Sequence, residues 1–277
     1  MESNPPYQER KSVLITGASA GIGLEFARLF ARKGYDLILI SRNKARLEAV
    51  AQEIKSQHAL HPIKIYVLAK DLSKPLAPGE IFIELTREQW EPDVLINNAG
   101  FGLHGTFLET DLDEELEMME LNMGALVHLT KLFLPRMAQR GWGKIMNVAS
   151  TAAFQAGPMM AIYYATKAFV LSFSEALHNE LNSKGVSVTC LCPGPTESEF
   201  RERAGMKDSK LFKLGMMSAS KVAEIGYEGM MKGKSLVIPG FKNKLLAFGN
   251  RFVSRSFSVR LVRLLQDKIS QSEKAED

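Results

Sequence analysis

The sequence predicts an α/β fold in which one parallel sheet of about seven strands is covered by helices on both faces. Short apolar runs alternate with longer segments of helical periodicity along the chain, and the first apolar run ends in a glycine-rich turn. Strands of a parallel sheet are buried on both faces, so they are apolar throughout, and helices must connect them. A chain of 277 residues is long enough for one such domain.

Each strand is predicted from a run of mainly apolar residues, such as DLILI in the second. The runs lie at 12–16, 36–40, 63–68, 93–96, 144–148, 186–191 and 235–238. Helices are predicted at 22–33, 44–56, 113–139 and 161–183. In the first of them Ile22, Phe26 and Leu29 recur at spacings of three and four, which places them on one helical face. This order predicts a doubly wound domain.

The chain divides by composition into a tail at 1–10, the α/β domain at 11–240 and a basic helical extension at 241–277. From 229 to 266 there are eight basic residues and no acidic one, although the whole chain has a net charge of only +4. The remainder is therefore net negative, which argues against a general affinity for nucleic acid. In the extension Phe257, Leu261, Leu264 and Leu265 form an apolar stripe beside Arg260 and Arg263. Such a helix suits either an anionic membrane or partner surface, or a cap on the core.

Composition also excludes several classes of protein. Cys190 and Cys192 are alternate residues of a strand, so we expect two buried thiols on one face rather than a disulfide framework. The five histidines show no spacing suited to a metal, and no metal is expected. No apolar run approaches the ~18 residues that span a bilayer, and the N-terminal residues lack the apolar core of a signal peptide. We therefore expect a cytoplasmic protein, with peripheral membrane contact left open.

The glycine-rich turn predicts a dinucleotide site of the Rossmann type. It reads Thr16-Gly17-Ala18-Ser19-Ala20-Gly21-Ile22-Gly23, between the first strand and the first helix. Gly17 permits the tight turn, Gly21 admits a phosphate close to the backbone, and Gly23 lets the helix pack on the strand. The backbone of Ser19 and Ile22 belongs to the same cradle, where a helix N-terminus offers free N–H groups to a pyrophosphate.

The end of the second strand predicts which cofactor binds. An acidic residue there would bond the adenine ribose hydroxyls of NAD, but this chain has Ser41 and Arg42. Arg42 is suited to pair with a 2′-phosphate, to which Ser41 can donate a hydrogen bond. The pair favours NADP(H); the alternative is a solvated arginine at a strand end.

Five motifs in order resemble those of the short-chain dehydrogenase/reductase family, over residues 11–238. They are the glycine turn, Asn97-Asn98-Ala99-Gly100, Ser150, the Tyr163–Lys167 pair and Pro193-Gly194, with Asn122 completing the family's catalytic set. The resemblance implies an oxidoreductase that interconverts a carbonyl and an alcohol, and homodimers or homotetramers that pair through helices 113–139 and 161–183.

The catalytic residues implied by the resemblance also suit the chemistry. Tyr163 and Lys167 are four apart on a helix and share a face, so the ammonium is expected to lower the pKa of the tyrosine. Tyr163 then exchanges a proton with the substrate oxygen, Ser150 holds that oxygen, and Asn122 holds a water that links Lys167 to solvent. Tyr164 lacks a lysine four residues on, because position 168 is Ala168; Tyr163 is therefore the predicted catalyst.

The resemblance assigns further cofactor contacts. Asp71 is expected to meet the adenine ring, Asn98 to lie beside a ribose, and Lys167 to bond the nicotinamide ribose. Pro193, Gly194, Thr196 and Ser198 are expected around the carboxamide and the pyrophosphate.

The segment from Phe200 to Met217 is rich in Phe, Met and Leu and lies where the family carries a mobile lid. Gln155, Met159 and Met160 are expected to form the opposite wall, and His104 is a further candidate for the pocket. Such walls favour an apolar ketone or aldehyde, 3-oxoacyl or steroid-like. The alternative for this segment is a lid that only packs on the sheet. The alternative for the protein as a whole is a non-catalytic NADP-binding sensor or scaffold that acts through the basic tail.

Overall fold

The computed structural model describes residues 10–206 and 215–266. The strands are β1 (Ser12–Thr16), β2 (Asp36–Ser41), β3 (Ile65–Ala69), β4 (Val94–Asn97), β5 (Gly143–Val148), β6 (Val186–Leu191), β7 (Thr196–Glu197), β8 (Met217–Ser218) and β9 (Leu236–Val237). Seven of them form one parallel sheet in the order β3-β2-β1-β4-β5-β6-β9. The predicted doubly wound Rossmann fold is confirmed.

Helices connect the strands on both faces of the sheet. They are α1 (Gly21–Arg32), α2 (Lys44–Gln57), α3 (Ala77–Arg87), α4 (Leu112–Met119), α5 (Ala125–Arg140), α6 (Ala161–Leu181), α7 (Phe200–Arg203), α8 (Ala219–Met231), α9 (Phe241–Gly249) and α10 (Arg255–Gln266). The strand order reverses beside β1, from which the chain winds first toward β3 and later toward β9. At this switch point the carboxyl ends of β1 and β4 open a crevice.

The core lies in two layers because successive strand residues point to opposite faces. In β1, Val13 and Ile15 pack in a cluster with Phe26 and Phe30 of α1. Leu14, between them, belongs to the layer on the other face, which contains residues of α3 and α5. All these side chains are fully buried, each contributing about 1.5–3 kcal/mol to folding. This packing fixes the sheet whose carboxyl edge carries the site.

The helix predicted at 113–139 is interrupted in the structure. A π-helical turn, Glu120–Gly124, separates α4 from α5, and its extra residue rotates the two helices relative to each other. Leu116 in α4 is 51% exposed, whereas Leu129 in α5 is 1% exposed. Asn122 lies inside this turn and is 1% exposed.

Two helices, α3 and α8, were not predicted from the sequence. In α3 the buried residues are Ala77, Pro78, Ile81 and Leu85, and Pro78 with Gly79 in its first turn hides the helical signal. In α8 two of the buried residues are Gly226 and Gly229. Their missing side chains admit Leu191 and Val237 of the sheet, so two positions of the packing face, between Val222 and Met230, carry no apolar side chain.

The predicted thiols are confirmed as buried and unlinked. Cys190 and Cys192 are fully buried, with their Sγ atoms 3.7 Å apart. Among the residues that the structure describes, no group of side chains could hold a metal, and no helix is long and apolar enough to cross a membrane.

Candidate active site

A cavity of about 490 Å³ lies at the carboxyl edge of the sheet. Its lining includes most of the residues predicted for the site: Gly17, Ser19, Gly21, Ile22, Ser41, Arg42, Asp71, Asn98, Ser150, Tyr163, Lys167, Pro193, Gly194, Thr196 and Ser198. Gly23 and Asn122 lie behind this lining. The position agrees with the rule that ligands of open α/β sheets bind at the topological switch point.

The glycine turn forms one end of the cavity with bare backbone. Gly17 has a φ of +66°, which a glycine adopts without strain. A Cβ on Gly23 would lie 2.3 Å from the carbonyl oxygen of Gly17, so only glycine lets α1 start this close to β1. No side chain caps the N-terminus of α1, and Ala20, Gly21 and Ile22 line the cavity there. The free N–H groups form an anion site open to the cavity.

Asn98 holds this turn in place. Its Nδ2 donates to the carbonyl oxygens of Thr16 (2.9 Å) and Gly17 (3.4 Å). Asn97, its neighbour, is buried and donates to Thr130 and Asn147. One asparagine of the motif therefore faces the cavity, and the other braces β4 against β5.

Ser41 and Arg42 line the cavity where β2 ends. Ser41 Oγ is buried and has no hydrogen-bond partner. Arg42 is exposed, and no carboxylate of the described residues forms an ion pair with it, whereas Arg46 one turn later is paired with Glu199 at 2.8 Å. Ser41 and Arg42 thus present an unpartnered hydroxyl and a cation at one spot, which suits a phosphate.

Asp71 lies on the opposite wall of this part of the cavity. Its Oδ1 accepts hydrogen bonds from the backbone N–H (3.1 Å) and the hydroxyl (2.9 Å) of Ser73. The carboxylate is therefore held by its own turn, and its position is fixed before any ligand binds.

Tyr163 and Lys167 project from α6 into the centre of the cavity, and both are buried. Lys167 Nζ donates to the carbonyl oxygen of Val148 at 3.0 Å and lies 5.7 Å from the centre of the Tyr163 ring. The ring also packs against Tyr164 and Phe200, at centroid distances of 6.1 and 5.4 Å. The phenol is thus locked in one orientation by packing.

The pKa values of this pair are set mainly by burial. Burial lowers the pKa of Lys167 to about 8, because a buried ammonium loses its hydration. Burial also raises the pKa of Tyr163 above its usual value, and a hydrogen bond with Ser150 opposes that rise. The sequence-based expectation that Lys167 lowers the pKa of Tyr163 is not met. The phenol keeps its proton, which is the form that donates to a carbonyl oxygen.

Ser150 and Asn122 are held by backbone contacts. Ser150 caps the 3₁₀ turn Thr151–Phe154, where its Oγ accepts from the N–H of Ala152 at 3.1 Å. Asn122 makes two hydrogen bonds to the backbone of Phe101 and donates to Thr166 Oγ1 at 3.1 Å. The side-chain oxygen and nitrogen of Asn122 are therefore occupied within the protein, and it does not line the cavity.

The chain after β6 closes the side of the cavity. The short strand β7 pairs with β8, so Pro193, Gly194, Thr196 and Ser198 form a wall facing the glycine turn. A Cβ on Gly21 would lie 3.1 Å from Ser198 Cβ. The two segments therefore approach closely at this point, and a side chain at position 21 would crowd Ser198.

The far end of the cavity is mainly apolar, with two glutamines. Gln155, Met160, Tyr164, Phe200, Met206 and Gln266 line it. Met159 was expected in this wall but does not line it; it has a φ of +69°, and its carbonyl oxygen accepts from Gly105 N. Met216 and Met217 of the expected lid lie outside the lining, and Leu211, Phe212 and Leu214 fall outside the described residues.

Sequence reasoning missed Gln266 because it lies over 60 residues from any motif, in the last described turn of α10. It is 1% exposed, and its Nε2 donates to Tyr164 Oη at 2.7 Å. His104, a candidate for the pocket wall, instead contacts the carbonyl oxygen of Gln266 at 3.2 Å. His104 thus positions the end of α10, and α10 supplies the polar side chain.

The fold and the cavity define a Rossmann-type domain with a buried tyrosine–lysine pair at the edge of its sheet, and comparisons with known proteins identify its family. The family model described as short chain dehydrogenase matches residues 11–209. The chain belongs to the short-chain dehydrogenase/reductase family, whose members use a nicotinamide cofactor.

Similar proteins cover a range of activities. A solved structure of a short-chain dehydrogenase from Sphingobium yanoikuyae in complex with NADPH is 32% identical, with a TM-score of 0.79 over 90% of this chain and 94% of the other. The probable oxidoreductase EphD of Mycobacterium tuberculosis is 30% identical, over 81% of this chain and 40% of its own. A very-long-chain 3-oxoacyl-CoA reductase of Phaeosphaeria nodorum is 36% identical over 64% of this chain and 52% of its own. The chain thus spans about two fifths to half of these curated relatives.

Proposed function

We propose that the protein is an NADP(H)-dependent oxidoreductase that interconverts an apolar ketone or aldehyde and the corresponding alcohol. The observation that carries the cofactor assignment is the pair at the end of β2. Ser41 Oγ is buried without a partner, Arg42 has no ion-pair partner among the described residues, and both line the cavity. A 2′-phosphate satisfies both groups at once, whereas an unmodified ribose leaves the arginine unpaired.

The rest of the cavity fits the same cofactor. The N-terminus of α1 would hold the pyrophosphate, Asp71 would lie near the adenine, and Asn98 and Lys167 would hold the riboses. Thr196 and Ser198 would face the carboxamide and the pyrophosphate. The NADPH in the similar Sphingobium structure supports this assignment. When bound, the nicotinamide supplies or accepts the hydride.

The chain's own side chains handle the proton. Tyr163, kept protonated by its burial, donates to the substrate oxygen in the reductive direction. Ser150 is held by the N–H of Ala152, and its hydroxyl lies within hydrogen-bonding reach of Tyr163, so it would bond the same oxygen. Lys167 places a positive charge beside the tyrosine and replaces the proton through solvent. Asn122 positions Thr166, one residue before Lys167, and Phe101 through the bonds described above.

The walls of the far end favour an apolar substrate. Met160, Phe200 and Met206 offer flexible apolar contacts, and the similarity to a very-long-chain 3-oxoacyl-CoA reductase supports a carbonyl on an acyl chain. A steroid-like ketone fits the same wall chemistry.

We further propose that the protein forms a homodimer or homotetramer through α4, α5 and α6. A groove on this side is lined by Leu116, Met119, Met123, Val127 and Phe169. Leu116 and Phe169 are 51% and 40% exposed, which leaves an apolar surface that a second copy would cover.

Titration with NADPH and with NADH, followed by fluorescence, tests the cofactor assignment. We expect the wild type to bind NADPH more tightly by about tenfold or more, since hydrogen bonds to a charged group such as a phosphate contribute about 1.5–3 kcal/mol. Arg42→Ala should remove this preference and leave NADH binding unchanged. Arg32→Ala is the matched control, because Arg32 is exposed at the other end of α1. Equal binding of both cofactors by the wild type would contradict the assignment.

A further inference from the structure

The C-terminal helix α9 packs on the domain with its small and polar face. Ala247 is buried, Asn243 Nδ2 donates to the carbonyl oxygen of Pro239 at 2.7 Å, and Asn250 donates to the carbonyl oxygen of Phe154. These three inward residues recur at spacings of four and three, which defines one helical face.

The opposite face of α9 is apolar and exposed. Phe241, Leu245 and Phe248 lie at spacings of four and three and are 79%, 60% and 57% exposed. Phe252 continues this face, 76% exposed, with its ring packed edge-on to that of Phe248 at 5.3 Å. A helix that only covered a core would have the reverse arrangement.

The helix α10 repeats the pattern. Ser258, Val262 and Gln266 face inward and are buried, and Ser258 Oγ donates to Asn250 Oδ1 at 2.6 Å, which ties α10 to the end of α9. Three residues of the stripe that the sequence predicts face solvent: Phe257, Leu261 and Leu264 are 46–64% exposed. The side chain of Leu265 lies outside the description. The core-cap alternative is thus wrong for the apolar stripe itself.

Basic side chains accompany these exposed apolar residues. Lys242, Lys244, Arg251, Arg255 and Arg260 are exposed, and none forms an ion pair with a carboxylate of the described residues. No acidic residue occurs from 229 to 266. Within the described part of the chain, no carboxylate therefore neutralises these charges next to the apolar face.

We propose that this C-terminal surface binds the surface of an anionic lipid bilayer. The surface comprises the apolar residues Phe241, Leu245, Phe248, Phe252, Phe257, Leu261 and Leu264, and the basic residues Lys242, Lys244, Arg251, Arg255 and Arg260. Apolar side chains enter the boundary between headgroups and acyl chains, while lysines and arginines reach the anionic headgroups. A second copy of the same surface would bring like charges together, so charge complementarity favours the bilayer.

Flotation with vesicles tests this proposal on the full chain. The probes are phosphatidylcholine vesicles with and without phosphatidylserine at about one third of the lipid. We expect binding to the vesicles that contain phosphatidylserine, weakened about tenfold or more when salt rises to about 0.5 M, and little binding to phosphatidylcholine alone.

Two sets of substitutions separate the apolar and the charged contributions. Each of two triple variants should weaken binding about tenfold or more. The apolar set is Phe257→Ser with Leu261→Ser and Leu264→Ser. The charged set is Lys242→Gln with Lys244→Gln and Arg260→Gln. The matched controls, which should bind normally, change exposed residues elsewhere: Leu60→Ser with Leu76→Ser and Leu108→Ser, and Lys55→Gln with Lys64→Gln and Lys184→Gln. All sites are exposed, so folding is expected to survive, and melting temperature checks this.

Three results would overturn the proposal. One is a wild type that does not bind vesicles containing phosphatidylserine. Another is binding that survives both C-terminal sets. The third is a wild-type oligomer that the set Phe257→Ser, Leu261→Ser and Leu264→Ser dissociates, since a second copy would then cover this surface.

A separate observation concerns the inward side of α10. Gln266 Oε1 is buried, has no hydrogen-bond partner among the described residues, and belongs to a side chain that lines the apolar end of the cavity. A buried amide oxygen without a donor is costly, while the Nε2 of the same amide is already bonded to Tyr164 Oη.

We infer that Gln266 selects substrates that carry a hydrogen-bond donor, a hydroxyl or an amide N–H, at the end remote from the reacting carbonyl. This inference rests on the proposed function, since it concerns the substrate of the same cavity. Gln266 acts on binding and does not enter the proton transfer.

The test measures kcat and KM for methyl ketones of increasing chain length, each with and without a terminal hydroxyl. At one or two chain lengths, the terminal hydroxyl should lower the KM of the wild type about tenfold. The Gln266→Met variant should lose this advantage, although it should still catalyse reduction of the ketones without a hydroxyl. A wild type without any hydroxyl preference, or a preference that persists in Gln266→Met, would refute the role of Gln266 but not the proposed function. A wild type that reduces no ketone would instead refute the proposed function, and this inference with it.

Discussion

At the scale of single residues, burying the charged Lys167 in the cavity lowers the stability of the folded protein. Lys167 is 6% exposed, and its pKa is lowered from 10.5 to about 8 by burial. The unfolded chain therefore binds more protons than the folded one between these values, so stability rises with pH through this window. Below pH 8 the cost of burying the charge is fully present, about 3 kcal/mol at 1.36 kcal/mol for each pKa unit.

Lys167→Met should consequently stabilise the cofactor-free protein at neutral pH. We expect the free energy of unfolding at pH 7 to rise by about 1–3 kcal/mol, because the lost hydrogen bond to Val148 offsets part of the gain. The gain should shrink as the pH approaches 10. Urea denaturation at several pH values measures it, and Lys55→Met, at an exposed position, is the control. A loss of stability that is equal at every pH would contradict this account.

The sequence could identify many residues of the cavity but not the pKa values of their side chains. The spacing of Tyr163 and Lys167 predicts a shared face, and both do line the cavity. Their pKa values depend on how much water the surrounding chain excludes, which no spacing encodes. Gln266 eluded prediction for a related reason, because tertiary packing alone brings α10 to the cavity.

At the scale of elements, the start of α1 depends on the absence of one side chain. A Cβ on Gly23 would meet the carbonyl oxygen of Gly17 at 2.3 Å, and both atoms belong to backbone. Gly79 occupies the same third position of α3, where a Cβ would meet nothing within 4 Å. The two glycines form a matched pair.

Gly23→Ala should destabilise the protein by about 2 kcal/mol or more, since the clash cannot relax without moving the turn. It should also weaken NADPH binding, because the displaced N–H groups line the cavity. Gly79→Ala should instead add about 0.5–1 kcal/mol of stability by its helix propensity and leave binding unchanged. Denaturation and fluorescence titration measure both effects. Similar results for the two variants would show that the close approach does not matter.

The elements that the sequence predicts well are those with a strong local signal. The strands of the main sheet have apolar runs, and each predicted strand is present within two residues of its expected bounds. The π turn Glu120–Gly124 has no such signal, since its residues continue the helical pattern of α4. The helix α8 packs partly through Gly226 and Gly229, which weakens the apolar pattern on its buried face.

At the scale of the whole molecule, the proposed pairing of copies through α4, α5 and α6 predicts that charges placed at this interface will make the protein monomeric. Leu116→Asp with Phe169→Asp places two charges in the apolar groove, and both positions are exposed in the single chain. Sedimentation velocity should show an oligomeric wild type and a monomeric variant, since buried unpaired charges oppose association. Leu60→Asp with Ile83→Asp, at exposed sites elsewhere, should remain oligomeric. A monomeric wild type would contradict the proposal.

The C-terminal segment has two sides with different proposed roles. The inward face of α10 completes the cavity through Gln266, while the outward faces of α9 and α10 form the C-terminal surface. A bilayer bound there would lie next to the element that closes the apolar end of the cavity. This arrangement suits a substrate that dissolves in lipid.

The most direct test of the central claim is NADPH-dependent reduction of a panel of apolar ketones and 3-oxoacyl thioesters by the wild type, Tyr163→Phe and Tyr164→Phe. We predict turnover by the wild type, a loss of about a thousandfold or more in Tyr163→Phe, since general acid catalysis contributes 10²–10⁴-fold, and retained turnover in Tyr164→Phe. NADPH binding should be preserved in both variants. Equal turnover by the wild type and Tyr163→Phe, or NADPH binding by a wild type that reduces no member of the panel, would contradict the claim.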